Sequence, residues 1–255
     1  MRIGFCAKPD QAAKVAAAGF DFIEPPVNAL AAMTREEFET AKRQLGEAGI
    51  PAPTFNLLFP KPMALLSDGV SDADIREYLT LALSRVRELG GKIAVFGSGK
   101  SRMRPEGMSY DAAFRCLVEI TRLTGEIAAQ HGVTVVIEPL NCNETNMINS
   151  LGEGACLVAA VNHPSVALLA DYYHVTAENQ KVEDIERLCG IAHAHIATAQ
   201  GRRIPLAKDE GYTRMFAAMK KTGYDGLLSI EGKSDDLLAD GPVSAALLKQ
   251  LWEEA

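Results

Sequence analysis

The stretch VVIEPLN, residues 135–141, decides how the rest of the chain is read. Val135, Val136 and Ile137 are β-branched residues of the kind that form a short strand buried on both faces, and the run stops at a carboxylate, Glu138, followed by Pro139. An ionised carboxylate placed where burial ends has to be paired, hydrogen-bonded or bound to a metal. Three later stretches have the same form: VALLADYYH with Asp171, IAHAHIA with His195, and GLLSIEGK with Glu231. Successive strand ends therefore present three carboxylates and one imidazole.

Outward from these stretches, apolar strands alternate with segments of helical period along the whole chain, with no Ser- or Pro-rich linker between them. RIGFCA opens the series, and an Ala-rich helix over residues 9–18 stops at Gly19. FDFIE ends at Glu24 and the Pro25-Pro26 breaker. Thr34 and Glu37 form a capping box for a helix that stops near Gly49. APTFNLL, containing Asn56, is the third strand, and the Pro- and Leu-rich residues 59–69 that follow are long enough to be a lid. Ile75, Tyr78, Leu79, Ala82, Val86 and Leu89 share one helical face, and KIAVFGSG is the fourth strand. Beyond it, helices are expected over residues 110–130, 151–161, 182–188 and 212–221 and in a last segment to Trp252, with strands at 166–173 and 191–197 and from 226 to 231. Eight strands alternating with eight helices argue for parallel strands. A chain of 255 residues suits one (β/α)8 TIM barrel, typically about 250 residues, as a single α/β domain over residues 1–255. An open doubly wound sheet is the alternative. Gly19-Phe20-Asp21 and Gly223-Tyr224-Asp225, each leading into a strand that ends in glutamate, form a faint internal repeat.

The formal net charge of −7 gives no electrostatic reason to expect nucleic acid or an anionic membrane surface as partner. No run approaches 18 apolar residues, and the opening MRIGFCAK reads as a strand, not as a secretory signal. Cys6, Cys116, Cys142, Cys156 and Cys189 are odd in number, widely spaced and free of any CxxC pair, so they read as reduced thiols of a cytoplasmic protein.

In a parallel barrel the site is built at the C-terminal ends of the strands, which puts Glu138, Asp171, His195 and Glu231 on one side of that rim. Three oxygen donors and one nitrogen suit Mn²⁺, with Mg²⁺ or Co²⁺ as alternatives, better than a thiolate-type zinc site. Taken singly, each carboxylate is a satisfied strand-end residue; four ligand-type residues in series favour a metal centre. His193 and His195 lie on one strand face, and His195, nearer the C-terminal end, is the ligand candidate. His193 is read as structural, as are His131 and His163 at helix ends. His174 is read as a substrate-binding group, and Arg202 or Arg203, in QGRRIP, as an anchor for hydroxyl or anionic groups. Glutamates on the fifth and eighth strands, standing on opposite sides of a metal, could take a proton from a carbon beside a carbonyl and return it, while the metal polarises that carbonyl. GSGKSRMR resembles a phosphate cradle only until Ala94 is found where the Walker pattern needs glycine; Lys100 and Arg102 keep a weak substrate-loop reading. Glu24 and Asn56 are read as structural residues within reach of substrate.

The series IEP with Glu138, DYYH with Asp171 and His174, HAHIA with His195 and SIEG with Glu231 resembles the xylose-isomerase-like TIM barrels of the sugar phosphate isomerase/epimerase superfamily. Within them it is most similar to the ketose 3-epimerases of the D-tagatose, D-psicose and L-ribulose type. The resemblance implies that Glu138, Asp171, His195 and Glu231 ligate a divalent metal, that the two glutamates exchange protons, and that His174 and an arginine after the seventh strand bind a sugar or polyol. The expected activity is therefore that of a metal-dependent sugar isomerase or epimerase working through an enediolate, monomeric or as a homo-oligomer. A lyase or dehydratase acting on an oxo-sugar or inosose is the runner-up. Hydroxypyruvate isomerase and an endonuclease IV-like DNA repair enzyme stand further back.

Overall fold

In the computed structural model, which describes residues 1–188 and 190–255, eight short strands lie side by side and all run the same way. They are β1 (Arg2–Cys6), β2 (Phe22–Glu24), β3 (Thr54–Phe55), β4 (Ile93–Phe96), β5 (Thr134–Ile137), β6 (Val166–Asp171), β7 (Ile191–Ile196) and β8 (Leu227–Ile230). Parallel ladders join them in the order β2-β1-β8-β7-β6-β5-β4-β3. The seam between β2 and β3 is closed by Ile23 N donating to Pro51 O (3.0 Å), Asn56 N to Pro25 O (3.1 Å) and Val27 N to Asn56 O (2.8 Å). Pro25 and Pro26 have no N–H to give a ladder, which is why this seam is the shortest. The result is a nearly closed barrel, as the alternation predicts, and not an open sheet.

The two-residue period of each strand assigns its side chains. Val135 and Ile137 of β5 pack outward into the core shared with the helices, while Val136 joins Val95 and Leu169 in a small cluster inside the barrel. The same parity turns Glu138, Asp171, His195, Ser229 and Glu231 inward, toward the C-terminal side of that apolar plug. Gly4 belongs to the inner set too, and a methyl there would run into the Phe22 ring.

Outside the strands lie α1 (Ala12–Ala17), α2 (Val27–Ala32), α3 (Arg35–Ala48), α4 (Asp72–Glu88), α5 (Tyr110–Gln130), α6 (Leu151–Val161), α7 (Tyr172–Ala177), α8 (Glu210–Lys221) and α9 (Leu237–Glu254). The expected capping box is present: Thr34 Oγ1 accepts from Glu37 N (3.2 Å) and Glu37 Oε2 from Thr34 N (2.7 Å). Gly49, at φ 64°, ends α3 in the left-handed region.

Four expectations are corrected. The sixth strand ends at Asp171, whose side chain caps α7 by accepting from Tyr173 N (2.8 Å), so Tyr172 and Tyr173 are helical. The sixth helix is a 3-10 helix, Val182–Arg187. The third strand is confined to Thr54–Phe55, and α2 starts directly after the proline pair. Residues 59–69 are not a free lid, because Phe59 N donates to Ser98 Oγ (2.8 Å), Leu65 N to Ser101 O (2.8 Å) and Ser101 Oγ to Pro60 O (2.9 Å). Phe59, Leu65 and Leu66 are buried beneath these bonds. Among the described residues Cys6, Cys116, Cys142 and Cys156 form no disulfide, and Cys189 lies outside those residues. Among the described residues no helix is long and apolar enough to cross a membrane.

Candidate metal centre and active site

Glu138, Asp171, His195 and Glu231 arrive on four neighbouring strands, and one ligand atom from each lies within 4.8 Å of the others. Asp171 and His195 are 2% and 0% exposed, whereas Glu138 and Glu231 also line a cavity of about 370 Å³ at the C-terminal mouth of the barrel. That volume is in the range of small-molecule sites. Arg202, Glu144, Phe59, Ser98 and Lys100 form parts of its wall.

His195 is gripped from both sides. Its Nδ1 faces Glu138 Oε1 (3.1 Å) and Glu231 Oε2 (3.5 Å), while its Nε2 is 2.9 Å from Glu24 Oε1. The other Glu24 oxygen takes His193 Nε2 (2.8 Å), Thr54 Oγ1 (2.7 Å) and Ser229 Oγ. Glu24 thus fixes the ring so that Nδ1 is turned toward the three acids, the arrangement of an outer carboxylate behind an imidazole that could ligate a metal. Burial opposes the charge of Glu24, and the flanking imidazoles outweigh it, holding that carboxyl well below its usual range. For His195, burial works against the imidazolium and the Glu24 carboxylate prevails, so its pKa stands well above the ordinary value.

The acids differ. Burial, with Glu138 beside it, pushes Asp171 up to about 7. Burial and the charge of Glu231 raise Glu138. Glu231 is buried as well, but the hydrogen bond and charge of His195 and the charge of Arg202 bring it to about 2. Arg202 Nη2 donates to Glu231 Oε2 and stands 3.8 Å from Asp171 Oδ2, and Asn56 Nδ2 donates to Glu231 Oε1 (3.1 Å).

Asp171 Oδ2 is buried and makes no hydrogen bond among the described residues, with Arg202 Nη2 standing off at 3.8 Å and His174 Nε2 at 3.5 Å. An acceptor in that state is costly unless a cation meets it. The residues therefore fit a divalent metal: three carboxylates and an imidazole Nδ1, with an orphaned oxygen among them and a braced ring behind.

His174 is 2% exposed, and its Nδ1 accepts from Asn141 N (3.1 Å). Burial, helped by the charge of Arg202, lowers its pKa to about 3, so it is neutral, with its proton on Nε2, 3.5 Å from Asp171 Oδ2. Of the two candidate arginines, Arg202 is the one brought to the site. Its guanidinium also pairs with Glu144 Oε1 (3.1 Å) and lies over the Tyr173 ring at 4.7 Å. Arg203 turns away to an exposed pairing with Asp235, so the structure does not bring it to the cluster. Lys100 lines the cavity; Arg102, at 1% exposure, is behind the site rather than in a substrate loop. His193 is structural as read, and His131 and His163 sit at the ends of α5 and α6.

Three residues exceed what the sequence reading gave them. Glu24 was given a structural role but braces the central imidazole, and the signal was there in the HAH pair, which needs an acceptor inside the barrel. Asn56 reaches Glu231. Glu144, in a loop without period, pairs with Arg202 and carried no pattern by which to find it.

Among curated proteins, the 3-dehydro-D-guloside 4-epimerase of Escherichia coli (strain K12) is 27% identical over 180 residues, 67% of this chain and 66% of that protein, just under two thirds of its length. The ketose 3-epimerase of Arthrobacter globiformis is 23% identical over 247 residues, 94% of this chain and 83% of that protein. Among solved structures, D-allulose 3-epimerase from Methylomonas sp. in complex with D-allulose has the same fold, with a TM-score of 0.84 at 21% identity, covering 98% of this chain and 96% of that one. Residues 12–252 match the model of the family described as Xylose isomerase-like TIM barrel, and with the barrel and its rim of acidic and imidazole side chains in place, the chain belongs to that family.

Proposed function

We propose that this chain is a divalent-metal-dependent epimerase or isomerase of a sugar or sugar-like polyol, ketose 3-epimerase-like, moving a proton at a carbon next to a carbonyl. The observation that carries the reading is the convergence of Glu138, Asp171, His195 and Glu231, with Asp171 Oδ2 buried and making no hydrogen bond among the described residues, at a cavity into which two of the four carboxyl-bearing or imidazole side chains open. The relatives are named as epimerases, which supports the same class.

Glu138, Asp171, His195 and Glu231 would hold the metal, with Mn²⁺ the best suited ion and Mg²⁺ or Co²⁺ alternatives. Once bound, such a cation acts as a Lewis acid that polarises the substrate carbonyl and so acidifies the neighbouring C–H. The rest is done by side chains. Glu138 and Glu231, both facing the cavity, are the proton-transfer pair: one takes the proton from carbon, giving an enediolate, and the other returns it from the far face or to the neighbouring atom. Arg202 orients Glu231 and presents its remaining N–H groups to substrate oxygens, and neutral His174 offers Nε2–H as a donor. The four cysteines that form no disulfide among the described residues accord with a cytoplasmic, reducing compartment.

The test is to incubate the Mn²⁺-loaded protein with a panel of free ketoses and oxo-sugars in D₂O and record which carbon gains deuterium. Glu138→Gln and Glu231→Gln should each reduce turnover by at least about 1,000-fold with the fold retained. Wild-type rates in either variant would sink the two-base reading, and a dehydrated or cleaved product would move the enzyme to the lyases.

A further inference from the structure

The side chain of Arg102 spans the place where two strands part. The parallel ladder of β4 and β5 ends at the pair Phe96–Ile137, with Glu138 N donating to Phe96 O (3.3 Å) as its last rung. Beyond Phe96 the chain leaves β4 through Gly97, Ser98 and Gly99, so the Glu138 carbonyl has no strand neighbour to donate to it. Arg102 supplies the missing donors. Its Nη2 donates to Glu138 O (2.7 Å) and its Nη1 to Phe96 O (2.9 Å), with the guanidinium 5.8 Å from the Phe96 ring centroid.

We infer that Arg102 is a positioning residue for Glu138, extending the β4–β5 ladder by one rung so that the Glu138 carboxylate is held at the cavity. This rests on the role proposed above for Glu138. The cation is buried at 1% exposure, and among the described residues it forms no ion pair, its bonds going to carbonyls. A buried guanidinium that spends Nη1 and Nη2 on main-chain carbonyls and leaves Nε without a hydrogen-bond partner among the described residues is expensive, and burial lowers its pKa to about 10. A rigid fork with two parallel N–H groups is what bridging two strand-end carbonyls requires, and lysine, a single point of charge, cannot match it. The segment is fixed elsewhere too, since Ser98 Oγ and Ser101 Oγ tie it to Phe59 and Pro60. From the front, Gly97 leaves the space that Glu138 Oε2 occupies, and a methyl there would collide with that oxygen. Glu138 is therefore set from behind by Arg102 and given room in front by Gly97.

The experiment compares Arg102→Lys and Arg102→Met with wild type on three readouts: Mn²⁺ affinity by calorimetry without substrate, kcat and KM separately, and Tm. Positioning predicts that both variants lose about 10–100-fold in kcat and in Mn²⁺ affinity while KM moves less than about 3-fold, with lysine the milder change. Gly97→Ala, which displaces only the end of the Glu138 side chain, should reproduce the same signature with Tm retained. A lower Tm with wild-type kcat and Mn²⁺ affinity in folded Arg102→Lys would overturn the inference by leaving Arg102 a structural residue. If wild type itself turns over no sugar, the proposed function fails, and the Mn²⁺ affinities still decide the role of Arg102.

Discussion

At the scale of the residue, position along a strand is translated directly into chemistry. Glu138 and Val136 share a parity, so the side chain after the apolar plug is the first that can meet water, and the same step on β6, β7 and β8 delivers Asp171, His195 and Glu231. This much is legible in the sequence, because a two-residue period and a terminal charge are local patterns. The role of Glu24 is not, because its meaning lies in partners 169 and 171 residues away along the chain. Nor is the choice between Arg202 and Arg203. It is made by the turn: Arg202 sits at φ 48°, in the left-handed region, which sends neighbouring side chains apart, one to Glu231 and the other to Asp235. Glu24→Gln keeps the shape of the side chain but removes the charge that fixes His195, and should weaken Mn²⁺ binding by about 10–100-fold in a calorimetric titration. An unchanged affinity would show that the imidazole needs no brace.

At the scale of the element, the long helices follow their sequence signals, while two of the short ones do not. Thr34 with Glu37 and Gly49 mark both ends of α3, whereas α2 and α7, six residues each, are set by where a strand stops, which no helical period announces. The pairing of α3 with α4 carries its own test. Arg35 and Lys42 on α3 both reach Glu88 at the end of α4, the lysine at 2.7 Å, and their hydrogen bonds, the Arg35 bond first, hold Glu88 at about 2 against an ordinary value of 4.5. A carboxyl depressed on folding adds stability that is complete above its unfolded pKa and lost as pH falls through its folded one. Because the cluster is solvent-screened, the contribution is about 0.5–1 kcal/mol. Glu88→Gln should therefore be less stable than wild type by that amount in urea at neutral pH, with the gap shrinking as the pH goes from about 4.5 toward 2. A gap constant across that window would mean that packing, not charge, joins the helices there.

At the scale of the whole molecule, the barrel divides its labour by halves. Strands β5 to β8 bring the four proposed ligands, while β2 and β3, the short strands at the seam, bring Glu24, Thr54 and Asn56, which hold those side chains in place. A cation bound among Glu138, Asp171, His195 and Glu231 would therefore cross-link four consecutive strands, and through His195 and Glu24 would also draw the seam closed. Binding to the folded chain alone stabilises it by mass action, about 2.7 kcal/mol when the free ion is at 100 times its dissociation constant. For a chain of this size that is a rise in Tm of roughly 5–11 °C. Chelation should remove the rise and Mn²⁺ should restore it, as followed by differential scanning calorimetry. Asp171→Asn isolates the ion's part, because asparagine can still accept the Tyr173 N–H that caps α7 but no longer offers a carboxylate to the metal. Its Tm without metal should match wild type and its Mn²⁺-dependent rise should be lost. If the variant keeps the full rise, the cation binds somewhere other than these four strand ends, and the barrel has some other means of bringing them together.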